Sequence, residues 1–147
     1  MPDLDGFKET VTTYQDALTD LGRRLMAVVT LSLGADPADI MPGFERPTTW
    51  LRLLYYPPAT ITNDEDLSGS APHCDFGALT ILAQDDIGGL QVQTPAGARV
   101  NAPLIPDALM VNVGGILHRW SNGSTWSAPE STAIALVKAC NPPLAAQ

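Results

Sequence analysis

Phe7, Val11, Tyr14, Leu18, Leu21, Leu25 and Val28 recur along the chain at alternating steps of four and three. That spacing lines one face of an α-helix with apolar side chains and predicts a long helix running to about Leu33. Gly34 should end it, because glycine enters the left-handed conformation that closes a helix. Asp36-Pro37 then reads as a second start, the carboxylate capping free backbone N–H groups and the proline suiting the first helical position. A short helix over Pro37–Met41 is expected, stopped by Pro42-Gly43.

After Thr48 the pattern shortens. Trp50–Tyr56, Leu79–Ala83, Leu90–Thr94, Ala108–Val113 and Thr132–Val137 are β-prone runs punctuated by Pro, Gly, Asn and Asp, which predicts antiparallel strands of a sandwich or barrel. Apolar and amide residues alternate in Leu90-Gln91-Val92-Gln93, as in a strand with one wet face. Ala78–Ala83 is apolar except at Thr80 and suits a strand covered on both sides. The acidic stretch Thr60–Ala71 reads as a loop.

With 147 residues, 45% of them apolar, the chain can form one core without disulfides or a structural metal. Cys74 and Cys140 form no C-x-x-C pair and fit a reducing cytosol. Eight basic against 16 acidic residues, net −8, leave no basic stripe for nucleic acid. No apolar run approaches the roughly 18 residues of a membrane span, and acids occupy the place of a signal peptide's basic start. A cytoplasmic protein is expected.

The chemistry concentrates at His73-Cys74-Asp75. On a strand, side chains two apart share a face, so this imidazole and carboxylate could converge on one ion with Cys74 turned away. Such a pair suits a non-haem Fe(II) site of two histidines and one carboxylate, with one ligand still to be supplied. Taken alone, His-x-Asp also fits an exposed histidine beside a turn aspartate.

The surrounding motifs are more specific. Leu51-Arg52-Leu53-Leu54-Tyr55-Tyr56-Pro57-Pro58 precedes Pro72-His73-Cys74-Asp75-Phe76-Gly77-Ala78-Leu79-Thr80-Ile81-Leu82. Gly88-Gly89-Leu90-Gln91-Val92, Val111-Asn112-Val113-Gly114-Gly115-Ile116-Leu117 and Trp120-Ser121-Asn122-Gly123 follow in order. Together they resemble the isopenicillin N synthase-like family of Fe(II)- and 2-oxoglutarate-dependent dioxygenases. The resemblance implies a mainly β fold, a double-stranded β-helix or jelly roll, preceded by the long α-helix and the short one. It implies a single oxygenase-like domain over 1–147, with a helical lead-in at 1–46 and the jelly-roll core at 47–147. His73 and Asp75 would be the first two iron ligands, and Tyr56 matches the tyrosine that contacts the metal-proximal end of 2-oxoglutarate.

The chain departs from the family pattern in three places. Family members carry a substantial region ahead of the long helix, so part of the substrate cover is expected outside this chain. After Gly123 the family continues to a distal iron-binding histidine, and ungapped counting puts Glu130 there. The family's Arg-x-Ser clamp for the distal carboxylate of 2-oxoglutarate has its nearest echo in Lys138-Ala139-Cys140.

Glu130 as third ligand would make a harder, more anionic set, shifting preference toward Mn, Mg or Ca; its plainer reading is a solvated loop residue. His118 or water could take that position instead. Lys138 could bind a carboxylate as a point charge, without the bidentate fork of an arginine.

Two functions are therefore carried forward. One is an Fe(II)- and 2-oxoglutarate-dependent dioxygenase acting on a small organic substrate. The other is a catalytically inactive jelly-roll module that binds a metal or ligand. A homodimer through the N-terminal helix is a further expectation, since a lone long helix leaves apolar surface to cover.

Overall fold

The computed structural model describes residues 2–56, 73–94 and 96–125, together with the backbone of 133–135. The chain divides into two compact units, Met1–Leu53 and Leu54–Gln147.

In the first unit, α1 spans Phe7–Ser32, as the apolar spacing predicts. Its end is a complete Schellman turn. Ala35 N–H donates to Thr30 O at 3.1 Å, Gly34 N–H donates to Leu31 O at 2.9 Å, and Gly34 takes φ 75°. Met26 and Thr30, one turn apart, are the buried residues of this helix. Thr30 returns its hydroxyl hydrogen to Met26 O at 2.8 Å, which removes the penalty of burying a free donor.

Val28, the last member of the expected stripe, is 63% exposed. Steps of four and three average 3.5 residues, whereas the helix turns every 3.6, so such a stripe drifts by about 20° per heptad. Met26 and Thr30 stand two residues either side of Val28 and so nearly opposite it on the helix, a larger offset than this drift produces.

Asp36 caps α2 (Pro37–Ile40), its Oδ1 accepting from Ala38 N–H at 2.9 Å. The α-helix ends before Pro42-Gly43, as expected, but the chain keeps winding through that pair. The pair lies inside a 3-10 turn, Met41–Phe44, where Pro42 stands near the start and its missing N–H costs nothing.

The second unit holds the strands. β1 (Leu79–Leu82) pairs antiparallel with β4 (Met110–Val113), with Thr80 opposite Asn112. β2 (Leu90–Gln93) lies between β3 (Arg99–Asn101) and β5 (Ala133–Ala135), again antiparallel. The chain leaves the first sheet after β1, builds the β2–β3 hairpin in the second, and returns to pair β4 with β1. Helix α3 (Gly115–Trp120) follows directly. Leu90 and Leu117 are buried to 6% and 4% exposure.

Several strand expectations change. Trp50–Tyr56 forms neither strand nor helix, and Trp50, Leu53, Leu54 and Tyr55 are exposed. A β-prone composition describes fitness for a sheet and creates none without a ladder partner. Ala108–Val113 is strand only from Met110, because Asp107 turns the chain at φ 59°. Gln91 and Gln93 are half-buried on a partly open face, Gln91 Nε2 donating to Asn101 Oδ1 at 3.0 Å and Gln93 Nε2 to Gly97 O at 3.1 Å. β1 is half-buried along its length, so it is not covered on both sides to the degree its composition implied. The predicted loop Thr60–Ala71 lies outside the described residues.

Candidate metal centre

His73 and Asp75 do sit together, although not on a strand. Their segment has no regular secondary structure, and β1 begins only at Leu79. The joint between β4 and α3 holds it instead. Gly115 N–H donates to Asp75 O at 2.8 Å and Gly114 N–H to Ala78 O at 2.9 Å. Ile116 N–H is shared between Phe76 O and Gly77 O, each at 3.3 Å. The first amides of a helix have no partners within it, and Gly114 offers no side-chain cap. Here the carbonyls of residues 75–78 satisfy those amides, so one set of bonds caps α3 and fixes the backbone of Asp75.

Side-chain geometry suits a divalent cation. His73 Nε2 lies 3.5 Å from Asp75 Oδ1, beyond a strong direct hydrogen bond yet close enough for both donors to bind one ion at about 2.0–2.2 Å. The imidazole is half exposed and the carboxylate 21% exposed. The pair therefore has one open side and one sheltered side. The other carboxylate oxygen, Oδ2, accepts from Asn112 Nδ2 at 2.8 Å.

Asn112 has no role in the sequence reading. It stands on β4 between Val111 and Val113, 37 residues from its partner, and an amide inside an apolar strand is the available signal.

The remaining candidates divide by position. Tyr56 is half-buried in the second unit. His118, on α3, has its Nδ1 2.9 Å from Thr125 O, so the ring donates to the chain leaving the helix. Ser121 joins this knot, its hydroxyl 2.7 Å from Thr125 Oγ1 and accepting from Thr125 N–H at 3.0 Å. Glu130 and Lys138 lie outside the described residues. Among the described residues no third His, Cys, Asp or Glu joins His73 and Asp75, so His118 does not complete the set. Cys74, between the two ligand candidates, is exposed and in no disulfide.

Comparison with known proteins identifies the family. The family model described as 2OG-Fe(II) oxygenase superfamily matches residues 47–133. A 2-oxoglutarate-Fe(II) type oxidoreductase of Emericella nidulans is 34% identical over 124 residues, covering 83% of this chain and 36% of its own. An oxoglutarate-dependent flavonoid 7-O-demethylase of Ocimum basilicum is 35% identical over 129 residues, covering 87% of this chain and 34% of its own. A full-length Neurospora crassa protein, solved as a crystal structure in complex with alpha-KG, superposes with a TM-score of 0.70 at 26% identity, over 97% of this chain and 43% of that one. The chain thus spans little more than a third of the length of these curated relatives.

Proposed function

Because the chain belongs to the 2OG-Fe(II) oxygenase superfamily, we propose that it is the catalytic region of an Fe(II)- and 2-oxoglutarate-dependent dioxygenase acting on a small organic substrate. The observation that carries this reading is the convergence of His73 Nε2 and Asp75 Oδ1 at 3.5 Å, inside the matched segment.

Imidazole plus carboxylate is the donor chemistry that a non-haem Fe(II) site requires, and these residues fit the ion. Bound Fe(II) and 2-oxoglutarate would supply oxidation by O₂, with succinate and CO₂ as co-products. The protein's own part is placement. His73 and Asp75 hold the metal, the bond from Asn112 Nδ2 orients the carboxylate, and Gly115 N–H holds the Asp75 backbone. Glu130 is assigned as third ligand from its place in the family pattern. Tyr56 and Lys138 are assigned to the two ends of 2-oxoglutarate, Lys138 pairing with the distal carboxylate as a point charge.

The proposed architecture is a jelly roll within one domain, 47–147 forming the barrel and 1–46 the helical lead-in. Antiparallel pairing in both sheets and the return of β4 to β1 support it. No helix among the described residues is long and apolar enough to cross a membrane. The cysteine usage supports a cytoplasmic setting.

Succinate release from 2-oxoglutarate tests the activity. It should require Fe(II) and fall by about tenfold or more in His73→Ala and in Asp75→Ala. No succinate under any metal and substrate condition would overturn the enzyme reading. Melting curves separate it from a metal-binding module. Ligand at a hundred times its dissociation constant adds about 2.7 kcal/mol of stability, so an enzyme should be stabilised by Fe(II) and further by 2-oxoglutarate. Stabilisation by metal alone would favour the module.

A further inference from the structure

Building on the metal-centre reading, we propose that Asn112 is a positioning residue that makes Asp75 a single-oxygen metal ligand. A carboxylate can give a cation one oxygen or both, and the choice sets how many coordination positions remain for other ligands. In this structure the two oxygens of Asp75 are already differentiated. Oδ2 accepts the Asn112 amide hydrogen at 2.8 Å, while Oδ1 faces His73 Nε2 at 3.5 Å.

Turning the carboxylate to bring both oxygens onto the cation would pull Oδ2 away from its present alignment with the Asn112 amide and weaken that bond. Water competes weakly for that bond, because the Asp75 side chain is only 21% exposed. Both ends of the bond are fixed by backbone. Asn112 is held in register opposite Thr80 by the β1–β4 ladder, and Asp75 is held by Gly115 N–H on its carbonyl oxygen. The amide therefore sets the carboxylate's orientation rather than following it.

Binding of Co(II) to the full chain tests this without turnover, using titration calorimetry for affinity and the visible absorption of bound Co(II) for coordination. Wild type should bind Co(II), and Asp75→Ala should lose that binding. Asn112→Ala should weaken binding by about 10- to 100-fold, as expected for loss of a group that orients a ligand, and should alter the Co(II) spectrum. Thr80→Ala, which perturbs the same strand pair opposite Asn112, should retain the wild-type affinity and spectrum.

An Asn112→Ala protein with wild-type affinity and spectrum would overturn the proposal while leaving the metal centre intact. Equal losses in Thr80→Ala and Asn112→Ala would overturn it in favour of a general effect of the strand pair. Wild type that binds no Co(II), or binds it independently of Asp75, would overturn both this proposal and the reading beneath it.

Discussion

A methyl group at position 114 would run into the Gly77 carbonyl and come within 3.1 Å of the Asp75 carbonyl, so glycine is required there for space. Its φ of −92° is open to any residue. Gly114→Ala must push the β4–α3 joint away from the segment that carries the ligands. Overpacking of this kind costs about 1–3 kcal/mol, which urea denaturation should read directly. Because the same joint bonds the Asp75 backbone, the variant should also bind Co(II) more weakly than wild type. A Gly114→Ala protein with unchanged stability would mean that the approach to Gly77 is not as close as it stands.

Residues at this scale are legible in the sequence to different degrees. His73 and Asp75 can be found because two ligand types stand two apart within a run of ordered motifs. Asn112 cannot, because its role depends on a partner 37 residues away that only the strand register brings near. The geometry also reaches the expected convergence by another route. The ligand segment is not a strand, and the first amides of a helix hold it instead.

At the scale of elements, signals complete within a few residues translate well. Asp36-Pro37 contains both the cap and the first helical residue of α2, and the bond from Ala38 N–H to Asp36 Oδ1 is present at 2.9 Å. Asp36→Ala should therefore destabilise the first unit by about 0.5–2 kcal/mol, while Asp36→Asn or Asp36→Ser, which keep an accepting oxygen, should recover most of it. Chemical denaturation followed by far-ultraviolet circular dichroism checks both arms.

Elements that depend on distant partners translate poorly. Trp50–Tyr56 has the composition of a strand and no ladder among the described residues. β3, three exposed residues from Arg99 to Asn101, is too short to show a period and exists because the β2 edge is available to it. Helix α3 likewise opens on a glycine pair that gives no helix signal, Gly114 at its N-cap and Gly115 its first residue, and its N-terminus is satisfied by backbone that only folding brings into range.

At the scale of the whole molecule, the long helix carries the remaining prediction. Val28 and Leu31 are 63% and 62% exposed, three residues apart on one face of α1. Exposed aliphatic side chains on neighbouring turns are the pattern through which helices pair, and the proposed homodimer would cover them with the same residues of a second copy. Net charge opposes this pairing: at −8 per chain, two copies repel at long range, and added salt screens that repulsion more than it weakens apolar contact. Self-association should accordingly strengthen as ionic strength rises, which an interface held by ion pairs would not do. Sedimentation equilibrium at high micromolar concentration should show dimer that increases with salt in wild type and is lost in Val28→Asp/Leu31→Asp. Monomer at every salt and concentration would exclude the helix-paired dimer.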